Sequence, residues 1–292
     1  MAPWIEENRS TPRVVVLAPP DKPRVARELQ RLEPVIRKYA DVIAIDQKFE
    51  YQFEQCEADF VVVLGGDGSI LQSARQMGRL QKPVLGVNLG RLGFLAALSP
   101  DRFLDVWPEV CAGQFEVTQH LMFECTVFRN DVQLFSQIGL NETSILGGPP
   151  FSMLQIELHI DNQLATTYSC DGLIVSTPIG STAHNLSAGG PILRKNLQAF
   201  VISPISAHTL TMRPIVDTAE RVFELRLHEE HPSSSVVVDG RVVCQLDMQH
   251  RVVVRRAAGS FKLISVPGQN DYTTLRDKLG WSGSPRGRAD SG

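Results

Sequence analysis

Short runs of Val, Ile and Leu alternate with amphipathic helical segments over the first hundred residues of this 292-residue chain. Four runs, at residues 13–17, 42–45, 60–64 and 83–87, have the length and composition of buried strands. Apolar residues recur at helical spacing after the first and third of them. Strands that alternate with helices build a mostly parallel sheet covered on both faces. The sequence therefore predicts a Rossmann-like α/β domain at the N-terminus.

The pattern changes after residue 112 to β-branched, alternating runs, at 124–128, 154–160, 173–176, 221–227, 236–243 and 251–254. Pairs such as Asn130-Asp131 and Asp239-Gly240 tolerate the tight hairpin turns of a β meander. We therefore expect an α/β domain at 1–112, an all-β, β-sandwich-like domain at 113–269, and a C-terminal helix at 270–281 that packs back on the first domain. Residues 282–292, rich in Ser, Gly, Pro and Arg, predict a disordered tail.

Composition excludes several classes of protein. Lys and Arg number 29 against 32 Asp and Glu, so the net charge of −3 argues against a nucleic-acid partner. The N-terminus is acidic and no apolar run follows, which predicts a cytoplasmic protein. The longest charge-free stretch, 172–193, is too polar to cross a membrane. The five cysteines are too far apart for a zinc knuckle or a disulfide framework, and we identify no metal-ligating side chains.

The first chemical signal is the tetrapeptide Gly65-Gly66-Asp67-Gly68, placed where a predicted strand ends and a helix begins. Glycines let a phosphate approach the backbone, and the N–H groups of a helix N-terminus attract anionic oxygens. Asp67 in this position can accept a proton. The alternative is a tight turn with an Asx cap. The chain contains neither a Walker A motif nor the dinucleotide fingerprint of dehydrogenases.

Two further segments carry polar side chains suited to a ligand. Residues 171–191 lead from a strand into hydroxyls, amides and glycines, a composition typical of a binding loop. Asn141 and Glu142 follow the end of another strand, where they could hold ribose hydroxyls or form a solvated turn.

These segments resemble the NAD kinase family. Four motifs match in order: Gly-Gly-Asp-Gly-Ser at 65–69, Leu-Gly-Phe-Leu at 92–95, Asn-Glu at 141–142, and the block 171–191. The tetrapeptide is shared with diacylglycerol kinases, sphingosine kinases and phosphofructokinases, whereas the block 171–191 is specific to NAD kinases. The resemblance covers roughly residues 13–280.

The resemblance implies transfer of the γ-phosphoryl group of ATP, or of polyphosphate, to the 2′-hydroxyl of the adenosine ribose of NAD. It assigns Asp67 as the proton acceptor, places Gly65 and Gly66 near the transferred phosphate, and implies a divalent ion, Mg²⁺, on the phosphates of the donor. The NAD-binding residues that it implies are Gly68, Asn141, Glu142, Asp171, Thr182, Ala183, His184, Asn185 and Ser187. Position 184 departs from the family, which carries Tyr there; His184 offers a smaller flat ring that can also take up a proton.

Two alternatives remain at this stage: a lipid or sphingoid kinase sharing the tetrapeptide, and a non-catalytic NAD(H) sensor that kept the pocket. A lipid kinase would need an apolar entrance and leaves the polar block 171–191 unexplained. A sensor has no need of Asp67. By analogy with the family, we also expect a homodimer or homotetramer assembled through the β domain.

Overall fold

The computed structural model describes residues 3–19, 23–90, 93–96, 98–149, 152–209, 211–268 and 270–280. The expected disordered tail, 282–292, and Leu92 of the second motif lie outside these residues. The helices are α1 (Pro3–Glu6), α2 (Pro23–Tyr39), α3 (Asp67–Met77), α4 (Pro100–Cys111), α5 (His184–Ser187) and α6 (Asp271–Leu279), with a 3-10 turn at Gly180–Thr182.

The strands form two sheets. In chain order they are β1 (Arg13–Leu17), β2 (Asp41–Asp46), β3 (Phe60–Gly65), β4 (Val84–Asn88), β5 (Glu116–Arg129), β6 (Val132–Gly139), β7 (Glu142–Gly147), β8 (Leu154–Ile160), β9 (Gln163–Cys170), β10 (Gly172–Ser176), β11 (Ala199–Ile205), β12 (Ile215–Thr218), β13 (Phe223–Leu227), β14 (Ser234–Val238), β15 (Arg241–Leu246) and β16 (His250–Ser265).

The N-terminal part is a parallel sheet in the order β2-β1-β3-β4. Every residue of β3 and β4 is buried, because helices cover both faces. The helices α2 and α4 pack on one face and α3 on the other. The register pairs Leu17 with Val63 and Gly65 with Asn88, so the carboxyl ends of β1, β3 and β4 meet at one edge. Ligands of open α/β sheets bind at this edge.

The C-terminal part is a β sandwich. An antiparallel sheet in the order β12-β11-β10-β7-β14-β15 packs on strands β5, β16, β13 and β8, with Phe123, Phe200 and Phe223 in the core between them. The long strand β16 pairs with β5 and also bridges to β4 through Leu263 and Val84, so a single ten-stranded sheet continues from the sandwich into the parallel part. The predicted fold class is confirmed.

The C-terminal helix α6 lies against the crevice between the two parts: the Lys278 ammonium stands 4.0 Å from the centre of the Phe94 ring. Across the described residues, we find no helix with the length and hydropathy that a membrane span requires. All five cysteines are free; Cys111, Cys125 and Cys170 are buried and the other two are half-buried.

Candidate functional site

The glycine-rich turn connects β3 to α3 at the carboxyl edge of the parallel sheet. A Cβ on Gly65 would lie 2.2 Å from Ser69 Oγ, so only glycine fits there. Cβ atoms on Gly66 and Gly68 would instead point into open space. That space belongs to a cleft of about 440 Å³, lined also by Arg24, Gln72 and other residues. The turn therefore presents bare backbone to a cleft able to receive a phosphate.

Asp67 is the first residue of α3, and backbone N–H groups of the loop that follows β4 hold its carboxylate; we call these three hydrogen bonds the grip on Asp67. Oδ2 accepts the N–H of Phe94 at 2.7 Å, while Oδ1 accepts those of Leu95 and Ala96 at 2.9 and 3.0 Å. A Cβ on Gly93 would lie 2.1 Å from Oδ1, so this close approach requires glycine. A carboxylate offers about four lone-pair positions. Three are taken, and the remaining one lies on Oδ2.

A second carboxylate organises the turn that carries Asn141 and Glu142. Asp239, in the hairpin between β14 and β15, accepts the N–H groups of Leu140, Asn141 and Glu142 at 2.8, 2.8 and 3.2 Å. Burial raises the pKa of Asp239, against the lowering effect of these donors and of Arg75. The sequence predicts only a hairpin turn at Asp239-Gly240, because no local pattern indicates that this carboxylate reaches residues 140–142.

Glu142 is a buried acid without a complete set of hydrogen bonds. Its residue is 8% exposed, and its Oε2 atom has no hydrogen-bond partner among the described residues. Burial, followed by the negative charge of Asp239, raises the pKa of Glu142 to about 8. Leaving a buried polar atom unpaired costs about 1–3 kcal/mol. An arrangement this costly is typical of an atom that a ligand completes.

The block 171–191 folds against this turn. Thr177 donates its backbone N–H to the Asn141 carbonyl at 2.9 Å and its hydroxyl to the Leu140 carbonyl at 2.6 Å. A Cβ on Gly180 would lie 2.1 Å from the Asn141 carbonyl oxygen, so the two segments are in direct backbone contact. The structure therefore brings the second and third sequence signals together.

The block is more ordered than a plain loop, since it contains the 3-10 turn and α5. Asn185 is completely buried and makes three hydrogen bonds inside the protein: Nδ2 donates to the Ser181 and Pro191 carbonyls, both at 3.1 Å, and Oδ1 accepts the Ser203 hydroxyl. These contacts indicate that Asn185 shapes the block. They use both N–H donors of its amide and one of the two lone pairs of Oδ1.

The remaining candidates of the block divide into two groups. Thr182, Ala183, His184 and Ser187 are half-buried or exposed around α5. Asp171 instead precedes β10, and a strand rises about 3.3 Å per residue, so it lies roughly 20 Å along the chain from Thr177. Its carboxylate is 3.2 Å from His208 Nε2 at that far end. Within a single chain, Asp171 therefore lies far from the other residues predicted to bind NAD.

The loop that holds Asp67 and the block 171–191 face each other across the crevice between the two parts. Phe94, whose N–H holds Asp67, lines a largely apolar cavity of about 200 Å³ together with Thr182, Ile192 and Tyr272. The loop that holds Asp67 and the block 171–191 therefore border one cavity through Phe94 and Thr182.

The acidic, histidine and cysteine side chains of the described residues form no cluster of three that could hold a metal ion. Asp67 already accepts three N–H groups, which leaves it little capacity for a cation. The site therefore does not fit a metal held by the protein alone. A Mg²⁺ ion held mostly by phosphate oxygens and water does not require a cluster of protein ligands.

Comparison with known proteins gives a consistent picture. The ATP-NAD kinase N-terminal domain matches residues 18–115, and the ATP-NAD kinase C-terminal domain matches residues 140–266. A NAD kinase of Rhodopirellula baltica is 60% identical over 272 residues, which cover 93% of this chain and 88% of that protein.

Two solved structures are similar along most of the chain. A NAD kinase from Archaeoglobus fulgidus in complex with ATP superposes with a TM-score of 0.69 at 28% identity, covering 92% of this chain and 97% of that one. A yeast NADH kinase complexed with NADH superposes with a TM-score of 0.84 at 23% identity, covering 95% of this chain and 90% of that one. The second likeness shows the fold alone.

Proposed function

The chain belongs to the NAD kinase family, and we propose that Asp67 accepts the proton of the adenosine ribose 2′-hydroxyl during phosphoryl transfer. The protein is a kinase that uses ATP to convert NAD into NADP. The observation that supports the assignment of Asp67 is the set of three hydrogen bonds from residues 94–96, which fix the carboxylate beside the glycine-rich turn and leave one lone pair of Oδ2 unused.

The donor occupies the cleft at the carboxyl edge of the parallel sheet. Gly65, Gly66 and Gly68 bring bare backbone to the phosphates, and the N-terminus of α3 adds its positive dipole. Phosphoryl transfer requires chiefly alignment and charge neutralisation, so a carboxylate is a sufficient base. A Mg²⁺ ion would be held mainly by the donor's own phosphate oxygens and water, and would supply charge neutralisation there.

The NAD side is formed by the Asn141-Glu142 turn and by the residues around α5. Glu142, with its pKa raised to about 8, is largely protonated at neutral pH, so it can donate a hydrogen bond to a ribose oxygen as well as accept one. Thr182, Ala183 and Ser187 offer small polar surfaces, and the exposed ring of His184 can stack on the dinucleotide. Asn185 contributes by holding this segment in shape.

The alternatives receive no support from the relatives, which are NAD kinases. A cytoplasmic location, a homo-oligomer and the use of polyphosphate remain predictions from the sequence.

The function is tested by incubating the purified protein with ATP, Mg²⁺ and either NAD or a sphingoid base. The NADP formed is measured with an NADP-specific dehydrogenase. We expect NADP formation and no lipid phosphorylation. Binding of NAD without turnover would indicate a sensor, and phosphorylation of the lipid alone would overturn the assignment.

A further inference from the structure

We propose that Lys195 is a positioning residue for phosphoryl transfer, because it fastens the loop that grips Asp67 to the segment that follows the NAD-binding block. This inference rests on the proposed role of Asp67. Lys195 would act through this loop and not on a reacting group.

A direct chain of contacts connects the two residues. Lys195 Nζ donates a hydrogen bond to the Phe94 carbonyl at 2.8 Å. The N–H of the same Phe94 donates to Asp67 Oδ2 at 2.7 Å. A single residue therefore stands between the ammonium group and the carboxylate oxygen that keeps the free lone pair.

Lys195 is anchored at its own end. The His120 ring donates from Nδ1 to the Lys195 carbonyl at 3.0 Å. Two residues earlier, the Leu193 N–H donates to the Ser181 hydroxyl at 3.0 Å, which ties this segment to the 3-10 turn of the block. A displacement of the block is thereby transmitted to the loop at 93–96, and the reverse holds as well.

Leu95 and Ala96 are packed in the core, whereas Phe94 is only half-buried, so the hydrogen bond acts on the least packed residue of the loop at 93–96. Phe94 and Lys195 both line two separate cavities, of about 170 and 200 Å³. Among the described residues, Phe94 has no packed protein neighbours on the sides that face these cavities, so the directional hydrogen bond helps to fix the position of its carbonyl. A charge-assisted hydrogen bond is about twice as strong as a neutral one.

A second cation reaches the same residue from α6. The Lys278 ammonium lies 4.0 Å from the centre of the Phe94 ring. No side chain described in α6 is buried, so this helix is held weakly. A cation–π contact at an exposed site contributes less than a charge-assisted hydrogen bond, and we expect Lys278 to matter less than Lys195.

The test compares steady-state kinetics and hydrogen exchange of the full-length protein. Lys195→Met keeps the aliphatic stem but removes all three donors. We expect kcat to fall about tenfold, with KM for NAD and for ATP changed less than about twofold, since the loss falls on the transition state. Lys195→Arg should recover most of kcat, because a guanidinium also donates to a carbonyl. Lys278→Met should lower kcat only about twofold.

Hydrogen exchange reports on the loop without reference to activity. We expect the amides of residues 94–96 to exchange about tenfold faster in Lys195→Met. Lys82→Met is the matched control: this half-buried lysine lies before β4, at the opposite edge of the sheet, and should leave kcat and exchange unchanged. If Lys195→Met does not fold, Lys195→Gln provides the same comparison with a smaller change.

Unchanged exchange at 94–96 together with unchanged kcat would overturn the proposal. A raised KM at constant kcat would also overturn it, because Lys195 would then bind a substrate directly. Failure of the proposed function gives a different result: Asp67→Asn would retain activity while Lys195→Met still loosened the loop.

Discussion

Replacing Glu142 with Gln should make the ligand-free protein more stable at high pH. Glu142 is buried, its Oε2 lacks a partner among the described residues, and burial raises its pKa from 4.5 to about 8. Gln has nearly the same shape and cannot ionise. The variant therefore removes the titration while preserving the packing.

The sign of the effect follows from proton binding. Below pH 4.5 the folded and the unfolded chain both keep the proton on Glu142. Between pH 4.5 and 8 the unfolded chain loses it while the folded chain retains it, so stability falls by about 1.4 kcal/mol per pH unit. Above pH 8 the folded acid ionises too, and the accumulated loss levels off at about 5 kcal/mol. Glu142→Gln does not lose this stability, because Gln has no proton to release in this pH range.

The assay is thermal unfolding of both proteins without ligand at pH 5.5, 7 and 8.5. Unfolding entropy is roughly 2.1 cal/mol/K per residue, so 1 kcal/mol moves the Tm of a 292-residue chain by about 1.6 °C. The variant should melt about 2 °C above the parent at pH 5.5 and about 8 °C above it at pH 8.5. Glu230→Gln, at an exposed site, should show no such trend.

A difference in Tm that is independent of pH, or that widens toward low pH, would refute the reasoning. The functional arm is calorimetry at pH 7, where Gln can donate and accept like the protonated acid, so we expect Kd for NAD to change little in Glu142→Gln. Glu142→Leu, which removes both donor and acceptor, should raise Kd about tenfold, which corresponds to one lost hydrogen bond.

Three further substitutions test other parts of the site. Asp67→Asn should lower kcat at least a hundredfold, and also lower the Tm, because its amide nitrogen would face one of the three N–H donors; a rate above about a tenth of the parent's excludes Asp67 as the base. Gly93→Ala should abolish most activity, since its Cβ would lie 2.1 Å from Asp67 Oδ1, and full activity would show that the grip is dispensable. His184→Tyr should preserve or tighten NAD binding in calorimetry, whereas a large loss of affinity would contradict a stacking role.

Much of the fold can be predicted from the sequence because its signals are local. The Val-rich runs of β1 and β3 and the helical spacing in α2 identify a parallel sheet before any contact is known. Strands β6 and β9 are harder, since both lie at sheet edges and expose polar and apolar side chains alike. Tertiary pairing with β5 and β8 decides their structure.

The site was predictable only as far as its residues lie in recognisable motifs. Glycine spacing identifies the turn around Asp67, but nothing in the sequence reveals that Phe94, Leu95 and Ala96 grip its carboxylate with backbone N–H groups. Backbone donors have no side-chain signature. The carboxylate of Asp239 acts 97 or more residues away from its partners, which no local pattern predicts.

Asn185 shows what the composition of a segment leaves open. An amide in a polar block is a reasonable ligand candidate, yet complete burial and three internal hydrogen bonds give it a structural task. Composition predicts that a segment binds polar groups. It does not predict whether those groups belong to a ligand or to the protein.

A crystal structure with NAD bound measures the central geometry directly. The account predicts that the 2′-oxygen of the adenosine ribose lies about 2.6–3.2 Å from Asp67 Oδ2, at the one lone pair that residues 94–96 leave free. A dinucleotide seated with that oxygen beyond hydrogen-bond reach, and with no water between the two, would contradict it.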